Sequence, residues 1–89
     1  MPSAQLRIAD EFLEGLADVY SDRVLARVRM ALEGLRAFPE MGSPLVRRSV
    51  VNLYGEGLRQ IPISSFLIVY RYDGEFVDVL ALVYGPSVM

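Results

Sequence analysis

Residues Tyr54 to Gly85 read YGEGLRQIPISSFLIVYRYDGEFVDVLALVYG. Phe66 to Tyr72 is apolar and aromatic apart from Arg71, and Phe76 to Tyr84 is a second apolar run. Between them stands Asp73-Gly74, a pair that tolerates the positive φ of a type I′ turn, so the two runs are expected to form an antiparallel hairpin. With Asp73 and Gly74 as the two turn residues, Tyr72 faces Glu75, Tyr70 faces Val77, Ile68 faces Val79 and Phe66 faces Ala81. Arg71 beside Phe76, Val69 beside Asp78 and Leu67 beside Leu80 take the opposite side. Both sides are mostly apolar, which places these strands inside a sheet covered, at least in part, on both faces.

Working outward, the other elements follow from changes of period. Gln5–Ile8 alternates and reads as a first strand. From Asp10 the apolar residues Ile8, Phe12, Leu16 and Tyr20 recur every fourth position, with Asp10, Glu11, Glu14 and Asp18 outside, which predicts an amphipathic helix of about ten residues. Ser21-Asp22 supplies an N-cap for a longer helix whose stripe is Val24, Val28, Ala31, Leu35 and Phe38, and Pro39 ends it. So short a connection makes the two helices an antiparallel pair, able to shield one side of the sheet while the other side is left free to grip a macromolecule. Met41–Pro44 is turn-rich, and Leu45–Leu53, with Arg47-Arg48 and Val50-Val51, carries no decisive pattern and reads as loop. Leu58–Ile63 alternates as a strand in which Pro62, lacking an N–H, marks an edge. The expected fold is α+β, a single domain over residues 1–89 in the order β-α-α-β-β-β, with an N-terminal helical hairpin on a small antiparallel sheet.

Composition narrows the chemistry. The 89 residues hold neither cysteine nor histidine, and no carboxylate cluster has metal-ligand spacing, so zinc, disulfides and thiolate sites are excluded and no cofactor is expected. All nine basic residues are arginine, against eleven acids, and the formal net charge of −2 gives no overall drive toward nucleic acid. A content of 53% hydrophobic residues leaves apolar surface for a partner, so an oligomer, a homodimer among the options, or an obligate complex is expected. Acids at positions 10, 11 and 14 are incompatible with a signal peptide, and no run approaches a membrane span; a soluble cytoplasmic protein is the expectation.

The paired helices, the helix end Leu35-Arg-Ala-Phe-Pro39 running to Gly42, Tyr54-Gly-Glu-Gly-Leu-Arg59, Ile68-Val-Tyr-Arg71 and the closing Val79-Leu-Ala-Leu-Val-Tyr-Gly85 follow one another in an order and spacing that resembles the RelE/ParE superfamily of bacterial toxins. These are the toxins of type II toxin–antitoxin systems, also called plasmid stabilisation proteins. The resemblance implies a growth-inhibiting toxin neutralised by a cognate antitoxin. Its Gly-Glu-Gly-Leu-Arg and Val-Tyr-Arg phrases are closer to the ParE-like branch, which implies inhibition of DNA gyrase. The alternatives are a RelE-like, ribosome-dependent mRNA endoribonuclease and a non-toxic member that only binds antitoxin. RelE-type nucleases carry lysines, arginines and a histidine or tyrosine on the concave sheet face. Here Gly57, Phe66 or Leu67, and Gly85-Pro86 stand at the basic positions, and the chain closes on Tyr84-Gly85 where relatives have histidine-glycine and a basic tail.

Arg59, Arg71 and Tyr84 are therefore the candidates for catalysis. Arg71 also lies diagonally across the hairpin from Asp78, within reach of a structural ion pair. Arg59 has only Glu56 near it in sequence and can be read either way: its replacement by alanine separates a site residue, whose loss removes activity, from a structural one, whose loss removes solubility. Arg47, Arg48, Tyr54, Arg59 and Tyr84 are the candidates for contact with a target or an antitoxin. An arginine pair in a loop is also simply a solvated corner, and tyrosines on strands are commonly rim residues with wet hydroxyls.

Overall fold

The structure is a computed structural model, which describes residues 4–88. Its elements are β1 (Gln5–Ile8), α1 (Asp10–Ala17), α2 (Asp22–Ala37), α3 (Arg48–Tyr54), β2 (Leu58–Ile63), β3 (Phe66–Tyr72) and β4 (Phe76–Tyr84), followed by a 3₁₀ turn at Gly85–Val88. The four strands form one sheet in the order β1-β4-β3-β2. Neighbours from β2 to β4 are antiparallel, while β1 joins β4 in parallel, so the sheet is mixed and not wholly antiparallel. The parallel strand is possible because α1 to β3 intervene between β1 and its neighbour, a crossover no tight turn could supply. Among the described residues no helix is long and apolar enough to cross a membrane.

The helical hairpin forms as its sequence requires. The Ser21 hydroxyl accepts from the Val24 N–H at 3.3 Å, capping α2, and Phe38, just before Pro39, closes it with a bond to the Gly34 carbonyl at 2.8 Å. Phe12 of α1 and Val28 and Leu35 of α2 pack with Ile63, Ile68, Tyr70, Val77, Val79 and Leu82 from one side of the sheet. α1 lies close beside β4 where β1 stops. The Ala9 N–H bonds the Val79 carbonyl at 2.9 Å, and a Cβ at Gly15 would collide with the Leu82 carbonyl oxygen. Glycine there lets the helix cover the edge of β4.

The hairpin register differs from expectation in two steps. Tyr72 pairs with Val77 and Tyr70 with Val79, two residues further along β4 than predicted. The cause is the Asp73 carboxylate, which accepts from the Glu75 and Phe76 N–H groups at 2.9 and 2.7 Å. This holds Asp73 opposite Phe76, through Asp73 N–H to the Phe76 carbonyl at 3.2 Å, and makes Gly74-Glu75 the corner, with Gly74 at φ +99°. A slip of two preserves the face of every side chain. The second step does not: the register shifts again between Val69 and Tyr70, so that Val69 pairs with Ala81 and Ile68 with Leu82. Leu80 is the extra residue of this bulge, and Ala81, expected beside Phe66, turns to the other side of the sheet.

That other side is not open. The Leu45–Leu53 stretch read as loop contains most of α3, which covers it: Val50 is fully buried with Leu58, Val69 and Ala81, and Val46, Val51 and Tyr54 pack around them. The spacing 46, 50, 54 is helical, but Val-Val, Ser and Asn are weak helix formers, so the seven-residue helix exists because the sheet buries its apolar side. The expectation of a free second face is overturned by these residues of the chain itself.

Candidate functional site

Arg59 and Arg71, next to each other in the ladder of β2 and β3, leave the sheet on opposite sides. Arg59 pairs with Tyr70 and Arg71 with Leu58. On the helical-hairpin side, the Arg59 guanidinium donates from Nη1 to the Glu40 carbonyl at 3.0 Å and the Gly42 carbonyl at 2.7 Å, with its Nη2 3.9 Å from the Glu40 carboxylate. The same loop is tied down twice more. The Gly42 N–H donates to the Tyr70 hydroxyl at 2.9 Å, and Ser43 and Gln60 exchange backbone bonds at 2.9 Å each. Tyr70 is wholly buried, and that burial pushes its phenol above the usual tyrosine range.

On the α3 side, Arg71 donates from Nη2 to the Tyr54 carbonyl at 2.7 Å and from Nε to the Glu56 carbonyl at 3.1 Å. It thus caps the C-terminus of α3, where four carbonyls lack helical partners and a cation also meets the negative end of the helix dipole. Gly55 and Gly57 follow at φ +92° and +79°, which turns the chain around this guanidinium into β2. The expected ion pair with Asp78 is not made. Asp78, though paired with Arg71 in the ladder, is gripped by Arg7 of β1 through two bonds of 2.6 and 3.0 Å, and Arg7 in turn stacks over the Phe76 ring at 4.1 Å.

The remaining candidates lie about α3 and the far end of the sheet. Arg47 is the N-cap residue of α3, and its Nη1 donates to the Gly85 carbonyl at 3.1 Å. Tyr84, half exposed, meets Phe66 edge-on at 5.6 Å between ring centres. Between them lies a shallow cleft of about 250 Å³ lined by Arg47, Ser64, Ser65, Phe66, Gly85 and Pro86. Ser64 and Ser65 were not singled out in the sequence, although a Ser-Ser pair between two strand patterns marks their turn; Ser64 sits at φ +56°, and the Ser65 carbonyl accepts from the Gly85 N–H at 2.7 Å. Arg48 opens α3 and is exposed, as are Leu45 and Leu53. Tyr54 closes α3 half-buried; burial pushes its phenol up to about 12, and the adjacent Glu11 carboxylate of α1 acts in the same direction.

The structure therefore brings Arg47 and the Tyr84–Gly85 strand end together, sets Arg48 and Tyr54 at the two ends of α3, and separates Arg59 from Arg71 by the thickness of the sheet. Tyr84 stands opposite Phe66, five residues along β3 from Arg71, roughly 17 Å at the rise of a strand. Among the described residues no group of three or more carboxylates could hold a metal ion. No curated protein matches the chain. The profile of one protein family, the ParE toxin of type II toxin-antitoxin system, parDE, matches residues 5–85.

Proposed function

The chain belongs to the ParE toxin family of type II toxin–antitoxin systems, and from that premise we propose that it acts by binding its target, DNA gyrase, without breaking a bond, and is neutralised by a cognate antitoxin. The observation that carries this reading is the use made of the two arginines. Cleavage of RNA requires acid–base and cationic groups converging on one phosphate. Arg59 and Arg71 point to opposite sides of the sheet, each hydrogen-bonded to carbonyls of its own chain. With no lysine, histidine or cysteine in the sequence, nothing takes their place.

The surface assigned to the target is the outer side of α3 with the adjoining sheet end. Leu45 and Leu53 are 83% and 66% exposed there, Arg47 and Arg48 stand at the start of the helix, and Arg47 reaches the Tyr84–Gly85 strand end. Apolar side chains that reach water next to arginines and a tyrosine have the composition of a protein-binding patch. The antitoxin is assigned to the same surface, since covering it blocks the target directly. Tyr54 and Arg59 act indirectly, by fixing α3 and the loop after α2.

Two assays on the purified chain test this. Gyrase supercoiling should be blocked, and Leu53→Asp combined with Arg48→Glu should weaken the block at least tenfold while the thermal midpoint stays within a few degrees. Messenger RNA on translating ribosomes should stay intact. Shortened mRNA would replace this reading with a ribonuclease. Neither effect, with tight antitoxin binding retained, would leave a member that only binds its partner.

A further inference from the structure

The sheet has two outer edges, and they are finished differently. Along β2, Gln60 exchanges both of its outward backbone bonds with Ser43, and Pro62, the next residue to face outward, has no N–H to offer. The loop that carries Ser43 is locked in turn by Arg59 and the Tyr70 hydroxyl. On β1 the Gln5 and Ala9 N–H groups donate to the Glu75 and Val79 carbonyls at 3.4 and 2.9 Å, so alternation turns Arg7 toward β4 as well and leaves Leu6 and Ile8 facing outward. Among the described residues no hydrogen bond reaches the outward N–H or C=O of either, whereas the Ala4 N–H, just before the strand, is tied to the Arg36 carbonyl at 2.8 Å.

We propose that the open edge of β1 receives an extended segment of the antitoxin as a fifth strand. The inference rests on the reading above only in taking the outer side of α3 as the antitoxin's other footing. The N–H and C=O groups of two residues, spaced two apart along a strand, are what an added strand pairs with. The faces of that strand follow from β1. Leu6 and Ile8 point to the helical-hairpin side, where Leu6 packs on the core and Ile8 is 38% exposed, so incoming residues on that side are apolar. Those on the other side meet Gln5 and Arg7, both exposed, with Arg7 already held by Asp78, and are polar.

Size and charge select the occupant. A four-residue strand is about 13 Å long, and pairing it with β1 of a second copy would bury on the order of 200 Å² per copy, far below the ~800 Å² of a stable interface. The two-fold that satisfies all four outward groups is centred on Arg7, and it sets Arg7 against Arg7 of the other copy. A protein with a second footing has neither limitation, and an antitoxin is the partner that membership of the family supplies. That footing is near. Tyr54, the last residue of α3, stands next to Glu11, three positions beyond Ile8, so the end of α3 and the end of β1 lie side by side.

Amide hydrogen exchange, read residue by residue by NMR on the full chain alone and in complex with its antitoxin, tests the added strand. In the free chain Leu6 and Ile8 should exchange as open amides while Arg7 between them is protected, and in the complex both should slow at least about tenfold. Ile8→Pro removes one outward N–H and leaves the bonds from Gln5, Arg7 and Ala9 to β4. It should weaken antitoxin binding at least about tenfold with the thermal midpoint kept within a few degrees, while Ile8→Val, which keeps the N–H, stays within about twofold. If Ile8→Pro does not fold, exchange in the parent chain decides. Leu6 and Ile8 amides as open in the complex as in the free chain would overturn the proposal. So would protection in the free chain that grows with its concentration, which marks a second copy. Antitoxin binding that ignores Leu53→Asp with Arg48→Glu but slows Leu6 and Ile8 would contradict the α3 footing and still support the added strand.

Discussion

Arg71 holds the Tyr54 carbonyl at the end of α3 and the Glu56 carbonyl of the turn after it with one guanidinium, so Arg71→Ala strands both. Hydrogen bonds to a charged group contribute about 2 kcal/mol, which for a domain of this size is a fall of about 10 °C in the thermal midpoint. Arg71→Lys should recover little of it, because an ammonium cannot span both acceptors as the planar fork does. At Tyr54 the test is alkaline pH. The phenol titrates near 12 in the folded chain against 10.0 for the ordinary group, so the folded state holds its proton longer. Its stabilising contribution is complete below pH 10 and is lost as pH rises toward 12. Melts of Tyr54→Phe across that window should decline less steeply than those of the parent, with Tyr70, shifted in the same direction by burial, supplying the remaining slope. None of these roles was legible in the sequence, where Arg71 had Asp78 across the hairpin as its evident partner. Asp78 is held by Arg7, 71 positions away in the chain, and a contact across a parallel strand pair leaves no local signature.

At the level of elements, reading succeeded where one residue type settles one conformation. Ser21 ahead of an apolar stripe, Pro39 after it, and Pro62 on what is an edge strand each act through a single local cause, and α2 and β2 fall within a residue of their expected limits. Asp73-Gly74 located the hairpin but misplaced its corner, since the same Asp could sit in the turn or hydrogen-bond across it. The bulge at Leu80 had no signal at all: two apolar residues in succession on an apolar strand look alike on either face. α3 failed for a related reason, because its propensity is low and its stability is tertiary. It follows that Val50→Ala, which opens a cavity under α3, should cost about 2 kcal/mol and release the helix before the hairpin unfolds, seen as early loss of amide protection over residues 48–54. Ser21→Ala should cost about 1 kcal/mol and leave α3 protected.

Taken whole, the molecule is a sheet with a helical layer on each side, and several of its arginines serve internal tasks. Arg7 anchors β1, Arg59 the loop after α2, Arg71 the end of α3 and Arg47 the end of β4. Some apolar side chains also face outward among the exposed charges: Leu45 and Leu53 about α3, Leu13 on α1. Among the described residues Arg59 and Arg71 lie on opposite sides of the sheet, which supports the binding role proposed above, and the family to which the chain belongs is that of the ParE toxins. The measurement that bears most directly on this is gyrase supercoiling titrated with the parent chain and with Arg59→Ala, at a temperature where both are folded. If Arg59 is a strut, the variant melts earlier but inhibits supercoiling within about twofold of the parent, since a group outside the contact surface contributes little to the affinity. An Arg59→Ala chain that is fully folded yet inactive, above all one that has lost a cleavage of mRNA which the parent performs, would contradict the account.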